Sequence, residues 1–258
     1  MAAAVAARVP ETLAAYRDGV ADGPGGPAAV PLRALRDPRV FDATLDAFAA
    51  GLSPAAGLDA EAGLSPAAGL GPEAGCVRCD RRILVSYWSQ FYLAALATPA
   101  LTALVRLGRP LPLAFDALSL ECDGAGRPCR FHLPTEGSGC AACPAPGLAG
   151  LVEAHLRPFV ELCHARCGIA PRILWGNAAV ILDYVARELE GLRGDGEAAC
   201  DDVATCLGWR AGPACSKSPL SQALCPGASG CRRRRVCCLR HRLPGVPSCG
   251  ALCPCAQT

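Results

Sequence analysis

Residues 237–255 read CCLRHRLPGVPSCGALCPC. Five thiols fall in this span: Cys237, Cys238, Cys249, Cys253 and Cys255. Adjacent cysteines such as Cys237 and Cys238 do not bridge each other readily, because a disulfide wants its Cα atoms further apart than a trans peptide places them. Both can instead face one inorganic centre if the backbone bends. Pro244-Gly245 is a turn signal that carries Cys249 and Cys253 back toward the pair. A loop this rich in thiols reads as a metal or cluster site. Structural zinc favours CxxC knuckles, and a Cys-Cys pair ten residues ahead of the next thiol fits that pattern poorly.

The tail resembles the siderophore-iron reductases of the FhuF type. Their C-terminal motif is matched by Arg234, Arg235, Cys237, Cys238, Arg242, Leu243, Pro244, Cys249, Gly250, Cys253 and Pro254. The resemblance implies a 2Fe–2S cluster held by Cys237, Cys238, Cys249 and Cys253. The chain departs from the family at the last spacing, where Gly250, Ala251 and Leu252 stand in place of two residues, so Cys255 is an alternative fourth ligand. His241 stands where the family usually has tyrosine. It is a solvated neighbour of the site or, less in keeping with the motif, a ligand as in Rieske-type centres. Leu174-Trp175-Gly176-Asn177 and Ser218-Pro219-Leu220 also resemble family motifs, which makes Trp175 and Asn177 weak candidates for a substrate pocket.

The whole chain of 258 residues has a net charge of +2, which argues against a dedicated nucleic-acid binder. Charge is unevenly spread. Residues 231–258 carry six arginines and no acid, leaving the remainder net negative. A four-cysteine 2Fe–2S cluster is an anion, so arginines around it raise its reduction potential. The run Arg232, Arg233, Arg234 and Arg235 also reads as a docking face for an acidic electron-donor protein such as a ferredoxin.

Eighteen cysteines would suggest a disulfide framework in a short secreted protein. No basic start followed by a sustained apolar core opens the sequence. The longest apolar run, residues 91–105, is interrupted by Thr98, Pro99 and Thr102 and is too short to span a bilayer. The expectation is a reduced, cytoplasmic chain without a transmembrane segment. Cys76-x-x-Cys79 and Cys140-x-x-Cys143 form a second candidate metal set, weighed against loop thiols with no such role.

The fold expected is α+β and mostly helical, with one antiparallel hairpin or small sheet and a C-terminal iron-sulfur cluster loop. Residues 10–50 read as helices, with Asp42 capping one of them. Residues 51–75 hold the imperfect repeat GLSPAAGL and read as a low-complexity insertion. Residues 81–105 form a long helical stretch broken before Pro99. Residues 113–121 and 128–133 pair as strands across an Asp123-Gly124 turn. Residues 148–167, kinked at Pro158, and 172–192 are helices by their apolar period. Two units are expected, 1–230 for substrate and 231–258 for the cluster.

The resemblance implies a ferric-siderophore reductase. The cluster would pass one electron to iron(III) held by a siderophore, of hydroxamate type in the family, and free iron(II). Oxygen ligands hold the smaller, more charged ferric ion more tightly, so reduction loosens the complex. The rival is a zinc-stabilised cysteine-rich binding module. A third reading, a ferredoxin-like carrier, leaves the residues ahead of the tail without a purpose. Colour separates the first two. Protein purified without oxygen is expected to be red-brown and to hold iron and acid-labile sulfide in equal amounts; colourless protein holding zinc would establish the rival.

Overall fold

The computed structural model describes residues 1–52, 80–134, 147–190, 197–209, 218–227 and 232–255. The GLSPAAGL repeat beyond residue 52 and both CxxC pairs, Cys76/Cys79 and Cys140/Cys143, lie outside the described residues.

Helix α1 (Ala2–Ala6) and a 3-10 turn at Glu11–Tyr16 lead into strand β1 (Val20–Asp22). Strand β2 (Val30–Pro31) and a second 3-10 turn precede α2 (Pro38–Gly51). Two strands therefore interrupt a region whose sequence reads as helix and loop. They are three and two residues long and exist because a hairpin offers them edges to pair with. Asp37, not Asp42, caps α2: its carboxylate accepts the Arg39 N–H at 2.8 Å, and Pro38 sits in the first turn where its missing N–H costs nothing. Asp42 lies inside the helix, 3.6 Å from the Arg81 guanidinium.

The centre of the molecule is α3 (Arg81–Leu107). It runs unbroken through Pro99, contrary to the sequence expectation. Proline removes the hydrogen bond to the carbonyl four residues back, here Ala95. That carbonyl is where Gly19 packs, so closely that a Cβ at position 19 would collide with it. α3 thus stays helical across Pro99 with the chain at Gly19 packed against it. Among the described residues α3 is the one helix long and apolar enough to cross a membrane, but 78% of its most apolar window is buried inside the fold, as in a core helix.

The expected hairpin is present as β3 (Ser119–Cys122) and β4 (Pro128–Leu133), and β3 starts later than the sequence pattern suggests. Asp123 organises the turn, its carboxylate accepting the N–H groups of Ala125 and Arg127 at 2.9 and 2.8 Å. Gly126, rather than Gly124, takes the left-handed backbone. The sheet order is β1-β4-β3-β2, with β1 parallel to β4 and the other pairs antiparallel.

Helix α4 (Gly147–Leu151) continues through a π turn at Val152–Leu156 into α5 (Arg157–Cys167). Pro158 falls in the first turn of α5, where it fits, and the irregularity lies in the π turn ahead of it. Helix α6 (Pro171–Glu190) lies along α3 and forms the largest helix–helix packing of the fold. Helices α7 (Glu197–Cys206) and α8 (Pro219–Ala223) and the strand pair β5 (Leu224–Pro226) and β6 (Arg232–Arg234) complete the order.

His155, in the π turn, is fully buried among the rings of Tyr92, Phe115 and Phe131. The Leu113 carbonyl, 2.7 Å from Nδ1, can only accept, so Nδ1 carries the proton and Nε2 accepts the Tyr92 hydroxyl at 2.6 Å. Burial pushes the imidazole pKa down to about 4. The unfolded chain takes up this proton near pH 6.5, while the folded chain does not until near pH 4. Stability is therefore expected to drop as the pH is lowered from about 6.5 to about 4, by up to about 3 kcal/mol from this group. A His155→Gln variant should lose that part of the pH dependence in denaturant titrations; an identical slope in both proteins would contradict the assignment.

Candidate metal centre

Strands β5 and β6 pair antiparallel, Leu224 opposite Arg234 and Pro226 opposite Arg232. Ahead of them Ser218 caps α8, its hydroxyl accepting the Leu220 N–H, with Pro219 in the first turn. This explains Ser218-Pro219-Leu220 as a helix start that launches β5. The pair packs on α6 and delivers the tail to the ends of α3 and α6.

A buried polar chain ties tail to core. Arg234 is 2% exposed, and its Nε donates to Asn177 Oδ1 at 3.0 Å. Asn177, in α6 and fully buried, donates from Nδ2 to the Ser86 carbonyl at 2.9 Å and reaches the Ser89 hydroxyl at 3.1 Å. The Ser86 hydroxyl in turn donates to the Cys238 carbonyl at 2.6 Å. One asparagine thus joins α3, α6 and β6. The stem of Arg234 lies against α6 at Gly176. Asn177 has no exposed surface; its place is inside this strut and not on a pocket wall. Trp175 is half-buried and packs on the core edge.

The backbone at the cysteine pair is strained. Leu239 is in the left-handed region at φ 64°, the one non-glycine to be so among the described residues. This conformation is costly without a glycine and collects at functional sites. Its effect is to turn two successive N–H groups toward sulfur: Leu239 N–H points at Cys237 Sγ at 3.3 Å, and the Arg240 N–H at Cys238 Sγ. Such paired amides are the nests found at iron-sulfur sites.

Cys238 Sγ lies 3.7 Å from Cys249 Sγ. Two thiolates on one tetrahedral metal with bonds of about 2.3 Å stand roughly 3.8 Å apart, so this pair is already set for one metal ion. The hydrogen bond shared with Cys249, the Arg240 N–H and the guanidiniums of Arg234 and Arg240 pull the Cys238 thiol down to about 5, while that shared bond and burial push Cys249 up. Cys253 sits near Cys249 and Arg234. Cys237 has the Cys255 thiol within hydrogen-bonding reach and His241 Nδ1 at 3.5 Å. Among the described residues no group of three or more Cys, His, Asp or Glu converges on a single ion position. The nearest thiols are Cys238 with Cys249 and Cys237 with Cys255, and Cys253 lies beside Cys249.

A further observation bears on the charge the site takes. Arg234 Nη1 is buried with no partner. Burial lowers the pKa of this guanidinium, and the thiols of Cys238, Cys249 and Cys253 act in the opposite sense. A buried cation with a free donor beside paired thiols calls for an anionic group there. The residues therefore fit an iron-sulfur cluster.

The other arginines are sorted by the fold. Arg232 is drawn to Asp183 Oδ1 at 3.4 Å, and Arg235 Nε donates to the Leu224 carbonyl at 2.9 Å. Arg233 Nε is buried without a partner. Only Arg235 of the run is freely exposed; Arg242, further along, is exposed too.

Sequence reasoning missed the cleft beside the centre. It has a volume of about 440 Å³ between α3 and α6, with Cys249 in its wall. Tyr87, Gln90, Phe91 and Ala94 of α3 and Val180, Ile181 and Tyr184 of α6 line it. The spacing of Tyr87 and Phe91, one helical turn apart, is a signal that was present in the sequence.

Residues 86–213 match the family model described as a ferric iron reductase, FhuF-like transporter. The match covers most of α3, the β3–β4 hairpin and Asn177, and stops before the cysteine tail. The chain is 24% identical over 174 residues to the ferric siderophore reductase of Escherichia coli (strain K12), an alignment that takes in 66% of this chain and 65% of that protein.

Separate Cys253→Ala and Cys255→Ala variants decide the fourth ligand. The nearness of Cys255 to Cys237 leads us to expect that Cys255→Ala loses most of its iron and visible absorption, with Cys253→Ala close to wild type. The reverse order would make Cys253 the fourth ligand.

Proposed function

We propose, from the premise that residues 86–213 belong to the FhuF-like ferric iron reductase family, that this protein is a cytoplasmic ferric-siderophore reductase. Cys237, Cys238 and Cys249, with Cys255 or Cys253, would hold a 2Fe–2S cluster. Bound there, such a cluster supplies reversible one-electron chemistry. The observation that carries the reading is the buried Arg234, its Nη1 without a partner, beside the sulfur pair of Cys238 and Cys249 at 3.7 Å.

The chain's own groups have defined tasks in it. The N–H groups of Leu239 and Arg240 stabilise charge on the sulfurs. Arg234 and Arg240 favour the more negative state and so raise the potential. The Ser86–Asn177–Arg234 strut fixes the tail against the core, so little rearrangement accompanies electron transfer. Arg235 and Arg242 offer positive surface to an acidic one-electron carrier of ferredoxin type. Overall, the reduced carrier loses one electron and the iron(III) chelate gains it. The chelate then holds iron(II), which oxygen donors bind weakly and release. The family likeness implies a hydroxamate chelate. No proton transfer to carbon or oxygen is needed, so no general acid or base is required.

The test is an anaerobic assay with a reduced ferredoxin, a ferric trihydroxamate and a chromogenic iron(II) chelator. Wild-type protein is expected to release iron(II) catalytically, and Cys238→Ser to fall to the rate of the carrier alone. Wild-type protein with a full complement of iron and sulfide but no rate above the carrier would refute the activity while leaving the centre in place.

A further inference from the structure

We propose that Tyr87 and Gln90 of α3 are positioning residues for the centre: they hold the guanidinium of Arg240 within reach of Cys238, and through it they set how readily the centre takes up an electron. This rests on the reading of the tail as a cluster site given above. Arg240 is the residue through which both act. Its backbone N–H points at Cys238 Sγ, and its guanidinium favours the charged form of that thiol.

The guanidinium is held from two sides. Its carbon lies over the Tyr87 ring, 5.1 Å from the centroid, which is within the range of a cation–π contact. Its Nη1 donates to Gln90 Oε1 at 3.4 Å. Tyr87 and Gln90 stand three residues apart and so share one face of α3. Both are themselves braced. The Tyr87 ring packs against Phe48 and Phe91 at centroid distances of 5.7 and 5.1 Å, which restricts its rotation. Gln90 Nε2 points at the Ser86 carbonyl at 3.5 Å, which leaves Oε1 facing Arg240. The same carbonyl accepts from Asn177, the partner of Arg234. One turn of α3 therefore supports both guanidiniums.

Arg240 would not keep this place unaided. It lies close enough to Arg234 for its charge to disfavour that of its neighbour. Its Nε is buried without a partner, whereas a guanidinium in water has every N–H hydrated. Repulsion, hydration and side-chain entropy all draw it outward. The ring and the amide oppose them. A cation at fixed short range stabilises the more negative state of the centre, and the same cation out in solvent is screened by water. The ring face supplies the attraction, so the Tyr87 hydroxyl is not needed for it.

The experiment is a mediated redox titration of the loaded holoprotein, read from its visible spectrum. Wild type is compared with Tyr87→Phe, Tyr87→Leu and Gln90→Ala, and Tyr87→Leu is also made in an Arg240→Gln background. Leucine keeps apolar packing on Phe48 and Phe91 and removes the ring face. Tyr87→Leu is expected to lower the reduced-to-oxidised ratio at a fixed potential by about threefold to tenfold, tenfold being about 59 mV for one electron. Gln90→Ala should lower it by about twofold to threefold, and Tyr87→Phe should stay within about twofold of wild type. In the Arg240→Gln background Tyr87→Leu should change nothing further, because the group it acts through is gone. A residue that only supports the fold would give the same loss in either background. Wild-type ratios in Tyr87→Leu and Gln90→Ala, with iron and sulfide complete, would overturn the proposal. So would an undiminished Tyr87→Leu effect without the guanidinium. If Tyr87→Leu loses its iron, Gln90→Ala with and without Arg240→Gln decides by the same comparison. Wild-type protein that holds no iron and sulfide would overturn the cluster reading itself.

Discussion

A guanidinium with almost no contact with water governs the design. Burying a charge is costly unless neighbours replace its hydration. Asn177 supplies one partner to Arg234 and is itself held by Ser86 and Ser89 of α3. Its Nη1 has no partner, and the thiols of Cys238, Cys249 and Cys253 lie close enough to act on the guanidinium. Three facts follow from one constraint. The strand β6 must press against α6; the cysteine pair must lie where the Ser86 hydroxyl can bond the Cys238 carbonyl; and the site must take up negative charge.

The same constraint explains why the long middle of the chain is needed. The tail is a loop with two short 3-10 turns, and its apolar residues Leu239, Val246 and Leu252 pack against the core instead of forming one of their own. Its anchors are the core residues Cys238 and Leu243 and the strut. The two longest helices, α3 and α6, give the strut a rigid base, and their outward faces form the cleft. One helix pair thus does two things: inner faces position the sulfurs, outer faces line the space beside them.

Much of this could be read in the sequence, for identifiable reasons. The β3–β4 hairpin, the stripe of α6 and the helical span after residue 147 follow from local period and turn chemistry. The thiol loop declared itself by composition. What escaped was set by tertiary context. Strands β1 and β2 are too short to carry a pattern and depend on partners about a hundred residues away. Pro99 has a strong local tendency to break a helix, yet α3 stays helical across it with the chain at Gly19 packed against it. Asn177 and Arg234 look like surface polar residues when taken singly; their mutual burial is visible only once α3, α6 and β6 meet. The run of four arginines reads as one positive face, yet the fold turns Arg232 and Arg234 inward for separate duties.

The claim that organises the account is that Arg234 acts electrostatically on a negatively charged centre in the tail. A mediated redox titration of wild type, Arg234→Lys and Arg234→Gln tests it directly. The account predicts that Arg234→Gln lowers the midpoint potential by roughly 50–100 mV, the scale of removing one nearby unit charge at an effective dielectric constant of about 20 or somewhat more, while Arg234→Lys shifts it much less. Equal potentials in wild type and Arg234→Gln, with the centre fully loaded in both, would contradict it.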